Sequence, residues 1–462
     1  MIEWQQPTIQ FHSPTSPRTA SLPLAMTSML ATRETCLLRM LLTAGALAAL
    51  ALGVSRLDAA TSASIAGEWP EFRGPDGQGH STATHLPLEW STEKNVIWKT
   101  PIPGEGWSSP VVSRGQIFLT TGVGGTGTGP SLRTLALDAA TGQVLWTTEI
   151  FGNAESSGQA IHNKNSPASP TPIIEGDRLY VHFGHHGSAS LHRSGKILWR
   201  NSSLGYESVH GNGGSPILVD DKLIYHADGA KEPFAVALDK QTGKVVWKST
   251  RTVPVKQTFS FATPLLITVN GRRQIISPAS GAVLGLDPKD GREIWRVRYA
   301  GGYSVVPRPV FADGLLFIGT GYNRADLLAI RPDGEGDVTD THIVWRTTKG
   351  APLTPSVVHV GTEIYVVSDA GIATCFDAKT GTVHWQERIE GNYSASPLAA
   401  EGRIYFQNEI GTGVVLKASR EFTKLATNKL EERTLASYAV VGNSFLIRTA
   451  GHLYRIGNRS AP

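Results

Sequence analysis

The string ALDAATGQVLW at residues 136–146 returns as ALDKQTGKVVW (237–247), GLDPKDGREIW (285–295) and CFDAKTGTVHW (375–385), and its second half returns as RSGKILW (193–199). A small residue, an Asp, a Gly four positions later and a Trp four after that are repeated along one chain. Each copy sits in a unit with a constant order: an apolar run, most often opening on Ser-Pro or Thr-Pro, a Gly turn, an aromatic strand, a loop, the Asp…Gly hairpin and the Trp strand. SSPVVSRGQIFLTT (108–121), GSPILVDDKLIYHA (214–227) and ASPLAAEGRIYFQN (395–408) are three of seven such openings. A period of about 40 to 50 residues holds four short strands with their turns, which is the size of a propeller blade. An all-β chain is expected.

The two ends complete an eighth unit. YAVVGNSFLIRTAGHLYRIG (438–457) supplies three strands without a Trp strand, and NVIWKT (95–100) is a Trp strand with no unit before it. Joining them closes the ring and removes the unpaired sheet edges that invite aggregation. The expected fold is an eight-bladed β-propeller of four-stranded antiparallel blades, closed by strands from both termini, with seven blades as the fallback.

The motif has a physical reading within that fold. The Asp carboxylate accepts bonds from turn amides, and the Gly takes a positive φ without a Cβ clash. The Trp lies on the outermost strand, where its indole covers the gap to the next blade. Trp146, Trp199, Trp247, Trp295, Trp345 and Trp385 are expected to dock in this way, with Trp98 closing the seam. These are structural residues.

Composition sets outer limits. The chain has 462 residues, 40% of them hydrophobic and 18% charged, with a formal net charge of +4. No run of Lys and Arg forms a stripe, so neither nucleic acid nor an anionic membrane is expected as a partner. Residues 41–54, LLTAGALAALALGV, follow Arg33 and Arg39 and precede small residues, the layout of a secretory signal peptide. Export to the periplasm or beyond is expected, and no stable membrane span, because this stretch is short for a bilayer. The Pro-, Ser- and Thr-rich start suggests translation from Met26, Met29 or Met40. The chain divides into residues 1–60 (extension and signal peptide), 61–85 (a Trp-containing entry segment) and 86–458 (the propeller). Cys36 precedes the apolar stretch, so it is not where an acylated Cys would sit, and the mature protein keeps one thiol, Cys375. That residue occupies the slot of Ala136, Ala237 and Gly285, a small packing position. A monomer is expected.

The Ala-x-Asp-x-x-x-Gly-x-x-x-Trp pattern resembles the tryptophan-docking motif of the PQQ-like β-propeller repeat family, from about residue 67 to 458. Its members include quinoprotein alcohol and glucose dehydrogenases and non-catalytic, BamB-like propellers. The entry EWPEFRGPDGQGHS (68–81) is similar to the Trp-rich segment that precedes such propellers. The resemblance implies the fold strongly and the activity weakly. A quinoprotein would hold PQQ and calcium on the axis with carboxylate and Asn ligands, a catalytic Asp and commonly two adjacent Cys. No adjacent Cys pair exists here, nor a C-x-x-C-H haem site, and no matching ligand triplet can be placed. The expectation is therefore no cofactor, no metal and no catalytic residue, with a PQQ-dependent dehydrogenase as the alternative.

Other motifs are weaker. GVGGTG (122–127) fits a dinucleotide fingerprint, yet Pro130 and the β-like LRTLALD follow where a helix should begin, so a hairpin loop is expected. HFGHHG (182–187) clusters His182, His185 and His186 without a carboxylate at helical spacing, a poor zinc site. No G-x-S-x-G elbow is present. The segments before each inner strand carry more weight, because a propeller gathers them at one mouth of its channel. They place Trp107, Lys164, Asn165, His210, Asn212, Phe259, Tyr303 and Tyr393 on one rim. Aromatic faces with Asn, His and Lys donors suit an envelope protein, an extended peptide or a small polar ligand; equally, such loops can plug the channel and satisfy one another.

Overall fold

The computed structural model describes residues 68–124, 129–152, 160–322 and 325–458, all within the compact unit Ser64–Pro462. The signal-peptide stretch and Cys36 lie outside the described residues, as do residues 125–128 of the GVGGTG loop. Eight sheets follow one another, seven of four antiparallel strands and one that adds a fifth, parallel strand. Blades 1 to 7 begin with the inner strands at 111, 173, 217, 265, 310, 358 and 398. Blade 8 consists of Ala439–Val441, Ser444–Arg448 and His452–Gly457 with the N-terminal Val96–Pro101 as its outer strand, in register Lys99↔Tyr454. Both termini thus close one sheet, and the chain is an eight-bladed propeller.

The recurring string acts at three points. Asp138 Oδ1 accepts from the amides of Ala140 and Thr141 at 3.0 and 2.8 Å and from the Thr141 hydroxyl at 2.9 Å, and Asp239 and Asp377 repeat the pattern. The Gly is where the preceding blade's indole rests: a Cβ on Gly142, Gly195, Gly243, Gly291 or Gly381 would come within 2.5–2.8 Å of Trp98, Trp146, Trp199, Trp247 or Trp345. The small residue lies directly across the ladder from the Trp of its own blade, as in Ala136↔Trp146, Ala237↔Trp247 and Cys375↔Trp385. Cys375 is buried there, and burial pushes its thiol up to about 12. One bulge beside the Trp position bends every outer strand, and bulges of this kind make an edge a poor template for further pairing.

Six indoles donate Nε1–H to a backbone carbonyl of the next blade: Trp98 to Ala139 (3.1 Å), Trp146 to Arg193 (3.0 Å), Trp199 to Lys240 (3.1 Å), Trp247 to Pro288 (3.3 Å), Trp345 to Ala378 (2.9 Å) and Trp385 to Ser419 (3.0 Å). Trp295 departs from the expectation. Its Nε1 donates to Gln274 Oε1 within its own blade, and it is completely buried. The cause is local. Blade 5 replaces the Asp…Gly hairpin with RPDGEGDVTDTH (331–342), whose Gly336–Asp337 adds to Glu293–Arg298 as a parallel fifth strand. The outer strand of blade 7 carries Ala426 at the Trp position, and Trp90 of the N-terminal segment fills that gap, packed on Phe445 at 5.7 Å and against Gly413.

A second lock encircles the axis. The amide of Ser109 donates to the Thr171 hydroxyl (2.9 Å), Thr171 to Ser215 (2.9 Å), Ser215 to Thr263 (3.0 Å), Ser356 to Ser396 (3.0 Å), Ser396 to Ser437 (2.9 Å) and Ser437 back to Ser109 (3.1 Å). Five of these residues, Ser109, Thr171, Ser215, Thr263 and Ser396, explain the Ser-Pro and Thr-Pro openings: the hydroxyl serves the previous blade, and the proline that follows leads into the inner strand at a point needing no donor. Arg308 breaks the ring because it has no hydroxyl to offer. Its guanidinium instead reaches Pro264 O at 3.2 Å, Phe72 O at 2.5 Å and Glu71 Oε1 at 3.2 Å. These last two belong to the entry segment, which crosses the lower end of the channel, pairing Trp69 with Val112 of blade 1 and Ser81 with Ala399 of blade 7.

Candidate functional site

Above that plug lies a cavity of about 850 Å³, with Phe72 and the hydroxyl ring among its lining residues. Its upper wall comes from loops outside any ladder, and each loop pins the next through its backbone. His162 N donates to His210 O (3.2 Å), Ser304 N to Phe259 O (3.0 Å), Phe261 N to Val305 O (2.7 Å) and Tyr322 N to Tyr303 O (2.7 Å). Held in this way, four rings from successive blade junctions and Tyr322 from within blade 5 form one arc. His162 to His210 is 5.6 Å, His210 to Phe259 5.4 Å, Phe259 to Tyr303 5.5 Å and Tyr303 to Tyr322 5.7 Å, all edge to face. His210 and Ser304 hold the arc with left-handed backbone, φ 62° and 53°, a conformation that costs most residues free energy and persists where surroundings impose it. Burial, reinforced by the neighbouring His162, holds His210 below the ordinary imidazole range, so it is neutral at neutral pH.

The opposite wall is ionic. Lys164 Nζ stands 2.8 Å from Glu409 and 3.4 Å from Asp369, linking the blade 1–2 loop to blades 6 and 7 across the mouth. Burial disfavours this ammonium, but the two carboxylates outweigh it and hold the group above its ordinary value. Asp369 also accepts from the amides of Leu353 and Thr354 at 2.8 and 3.0 Å and from the Thr354 hydroxyl at 2.6 Å. Arg433 sits over the Trp107 ring at 5.5 Å, a cation–π contact that orients the indole.

Six of the eight rim residues expected from sequence, Trp107, Lys164, Asn165, His210, Phe259 and Tyr303, line this one cavity. The other two point elsewhere. Asn212 is buried beside the cavity, its Oδ1 accepting from the Tyr206 hydroxyl at 2.8 Å and its amide packed on Gly184. Tyr393 is fully buried, with its hydroxyl donating to Glu390 O at 2.8 Å. His162, Phe261, Tyr322 and Asp369 also line it and are not among the eight; the loop strings HNKNSPASP (162–170) and QTFSFATP (257–264) carry the first two, and only spatial neighbourhood identifies Tyr322 and Asp369. His182 lies in the wall behind, its ring 4.1 Å from that of Tyr225 and tilted by 34°, its pKa lowered by burial to about 3. Among the described residues no group of three His, Cys, Asp or Glu is arranged to hold a metal. After the strand Gln116–Val123 the chain enters another strand, Ser131–Asp138, where a dinucleotide site would need a helix.

A family model described as outer membrane protein assembly factor BamB matches residues 88–203, 134–340 and 335–458. The chain belongs to this BamB family. BamB of Yersinia pestis is 25% identical over 161 residues, 33% of this chain and 36% of that protein, so the match spans about a third of the relative's length. Among solved structures, BamB of Moraxella catarrhalis has a TM-score of 0.55 at 12% identity, over 79% of this chain and 99% of its own. Quinohemoprotein alcohol dehydrogenase from Comamonas testosteroni has a TM-score of 0.63 at 12% identity, over 90% of this chain and 85% of its own. At such identities the likeness to both structures concerns the fold. BamB-type and quinoprotein propellers share it, so the side chains at the channel must separate the two functions.

Proposed function

We propose that this chain is an exported, non-catalytic scaffold of the bacterial cell envelope whose aromatic channel mouth holds a protein partner. The observation that carries the reading is the arc from His162 to Tyr322: five rings fixed edge to face beside a cavity of about 850 Å³. Rigid aromatic groups give large contact area at little conformational cost, the usual anchors of a recognition surface. The name of the Yersinia relative, an outer membrane protein assembly factor, supports an envelope setting. A signal peptide at residues 41–54 would supply the export.

The cavity fits a calcium-bound quinone poorly. That pair needs several oxygen ligands free to face the axis, whereas the carboxylates of the ionic wall are taken up, Asp369 by Lys164, Thr354 and two amides and Glu409 by Lys164 and Ser394. No redox step is therefore assigned to any side chain here. The test compares the wild type with Phe259→Ala and Tyr303→Ala on immobilised protein challenged with envelope extract. A reproducible partner retained by the wild type and lost at least tenfold from both variants is expected. Equal retention by all three would remove the mouth from the account, and dye reduction by alcohols after adding PQQ and calcium would replace the scaffold with an enzyme.

A further inference from the structure

A second cavity, of about 900 Å³, lies beside the first in the cleft between blades 4 and 5. Lys256, Gln257 and Tyr303 line both cavities, so the last ring but one of the arc forms a sill over which the channel mouth continues outward. One side of this groove is the stretch Thr252–Gln257. Its exposure alternates along 252–256, with Thr252, Pro254 and Lys256 exposed and Val253 and Val255 turned partly inward against Gly281, and the chain bends at Lys256. It belongs to no ladder, and among the described residues its backbone amides and carbonyls bond to no other part of the protein. Every flanking segment differs: Arg251 donates to Pro233 O, Ser260 to Asp228 O and Phe261 to Val305 O. Folded chains rarely leave so long an extended run without partners beside a cavity, and such a run is a template for an added strand.

We propose that the partner is an extended polypeptide segment that anchors on the aromatic arc, crosses the Tyr303 sill and pairs backbone to backbone with residues 252–257. The occupant's chemistry follows from the groove. Its two guanidiniums are paired, Arg346 with Asp326 and Arg298 with Asp337, and beside the polar Lys256, Gln257 and Asp340 the wall offers unbonded main-chain groups and the apolar Val253, Val255 and Ile343. This inference rests on the mouth being the binding face and extends it.

The test uses terminally blocked peptides of alternating tyrosine and threonine, five and eleven residues long, with malto-oligosaccharides of matching lengths as the other class. Five extended residues reach about 17 Å and are confined to the mouth, whereas eleven reach about 36 Å and must leave it. The longer peptide is expected to bind at least tenfold tighter. Ala300→Trp, which fills the groove from an exposed position, should abolish that gain and leave the five-residue affinity within twofold. Hydrogen exchange at 252–257 should slow with the longer peptide alone. Equal affinity of the two lengths, or a gain that survives in Ala300→Trp, overturns the extension while leaving the mouth intact. Failure of the short peptide to bind overturns both, and a length-dependent gain seen only with the sugars overturns the ligand class.

Discussion

At the residue scale, the fold depends on a pair repeated around the ring: an indole from one blade and a glycine from the next. Trp247 is 7% exposed and donates to Pro288 O, and Trp247→Ala should cost about 3–5 kcal/mol in urea unfolding. Gly243→Ala tests the other half, since its φ of 73° and the 2.5 Å approach of Trp199 both oppose a Cβ; a loss of about 1–3 kcal/mol is expected. Buried imidazoles make a pH-dependent contribution. His182 titrates in the folded protein at about 3 against an ordinary value of 6.5, so the unfolded chain binds its proton first as pH falls. Stability should be full above about pH 6.5 and decline toward pH 3, by up to about 1.4 kcal/mol per unit for each such group. His182→Gln, which keeps a polar partner for Ser188, should flatten that slope; an unchanged slope would assign it to other groups. The motif was legible in sequence because each of its letters answers a local geometric demand. Asn212 and Tyr393 face the interior and not the channel, because the direction of a loop side chain depends on neighbours such as Gly184 and Phe406 that no spacing rule brings near.

At the scale of elements, the propeller tolerates departures where a different segment takes over the missing contact. Trp90 stands in for the docking residue that blade 7 lacks, and the parallel strand Gly336–Asp337 covers the edge beside Trp295. Neither substitution could be read from the period, since each brings in residues from outside its own repeat. Blade 4 also shows what an uncovered outer edge looks like by contrast: Leu145, Leu198, Val246 and Val344 are 40–47% exposed at the bulges, whereas the equivalent Ile294 is 5% exposed beneath the added strand. The entry segment is held by Arg308, whose partner Glu71 is kept above the ordinary carboxyl range chiefly by burial. Arg308→Ala should cost about 3 kcal/mol, because it leaves that carboxyl buried without its cation. Arg308→Ser restores a hydroxyl to the axial ring but not the plug, so its unfolding midpoint should remain below that of the wild type; a midpoint at or above it would show that the entry segment contributes little.

At the scale of the whole molecule, two rings of contacts close the wheel, indole to carbonyl outside and amide to hydroxyl inside, and both pass through the sheet shared by the termini. The blade count was readable because each end of the chain lacked what the other supplied. The working face was only half readable: the loops were known to meet, but the edge-to-face order of the rings and the Lys164 strut across the mouth exist only once eight blades are in place. The central claim is that this mouth, and not the outer belt, meets the partner. The most direct measurement is photocrosslinking in the envelope with benzoylphenylalanine placed at Tyr322, 56% exposed on the rim, or at Val246, 47% exposed on the belt. A discrete adduct from position 322, abolished by Phe259→Ala and absent from position 246, is the predicted result; adducts from position 246 alone, or from neither site, would contradict it.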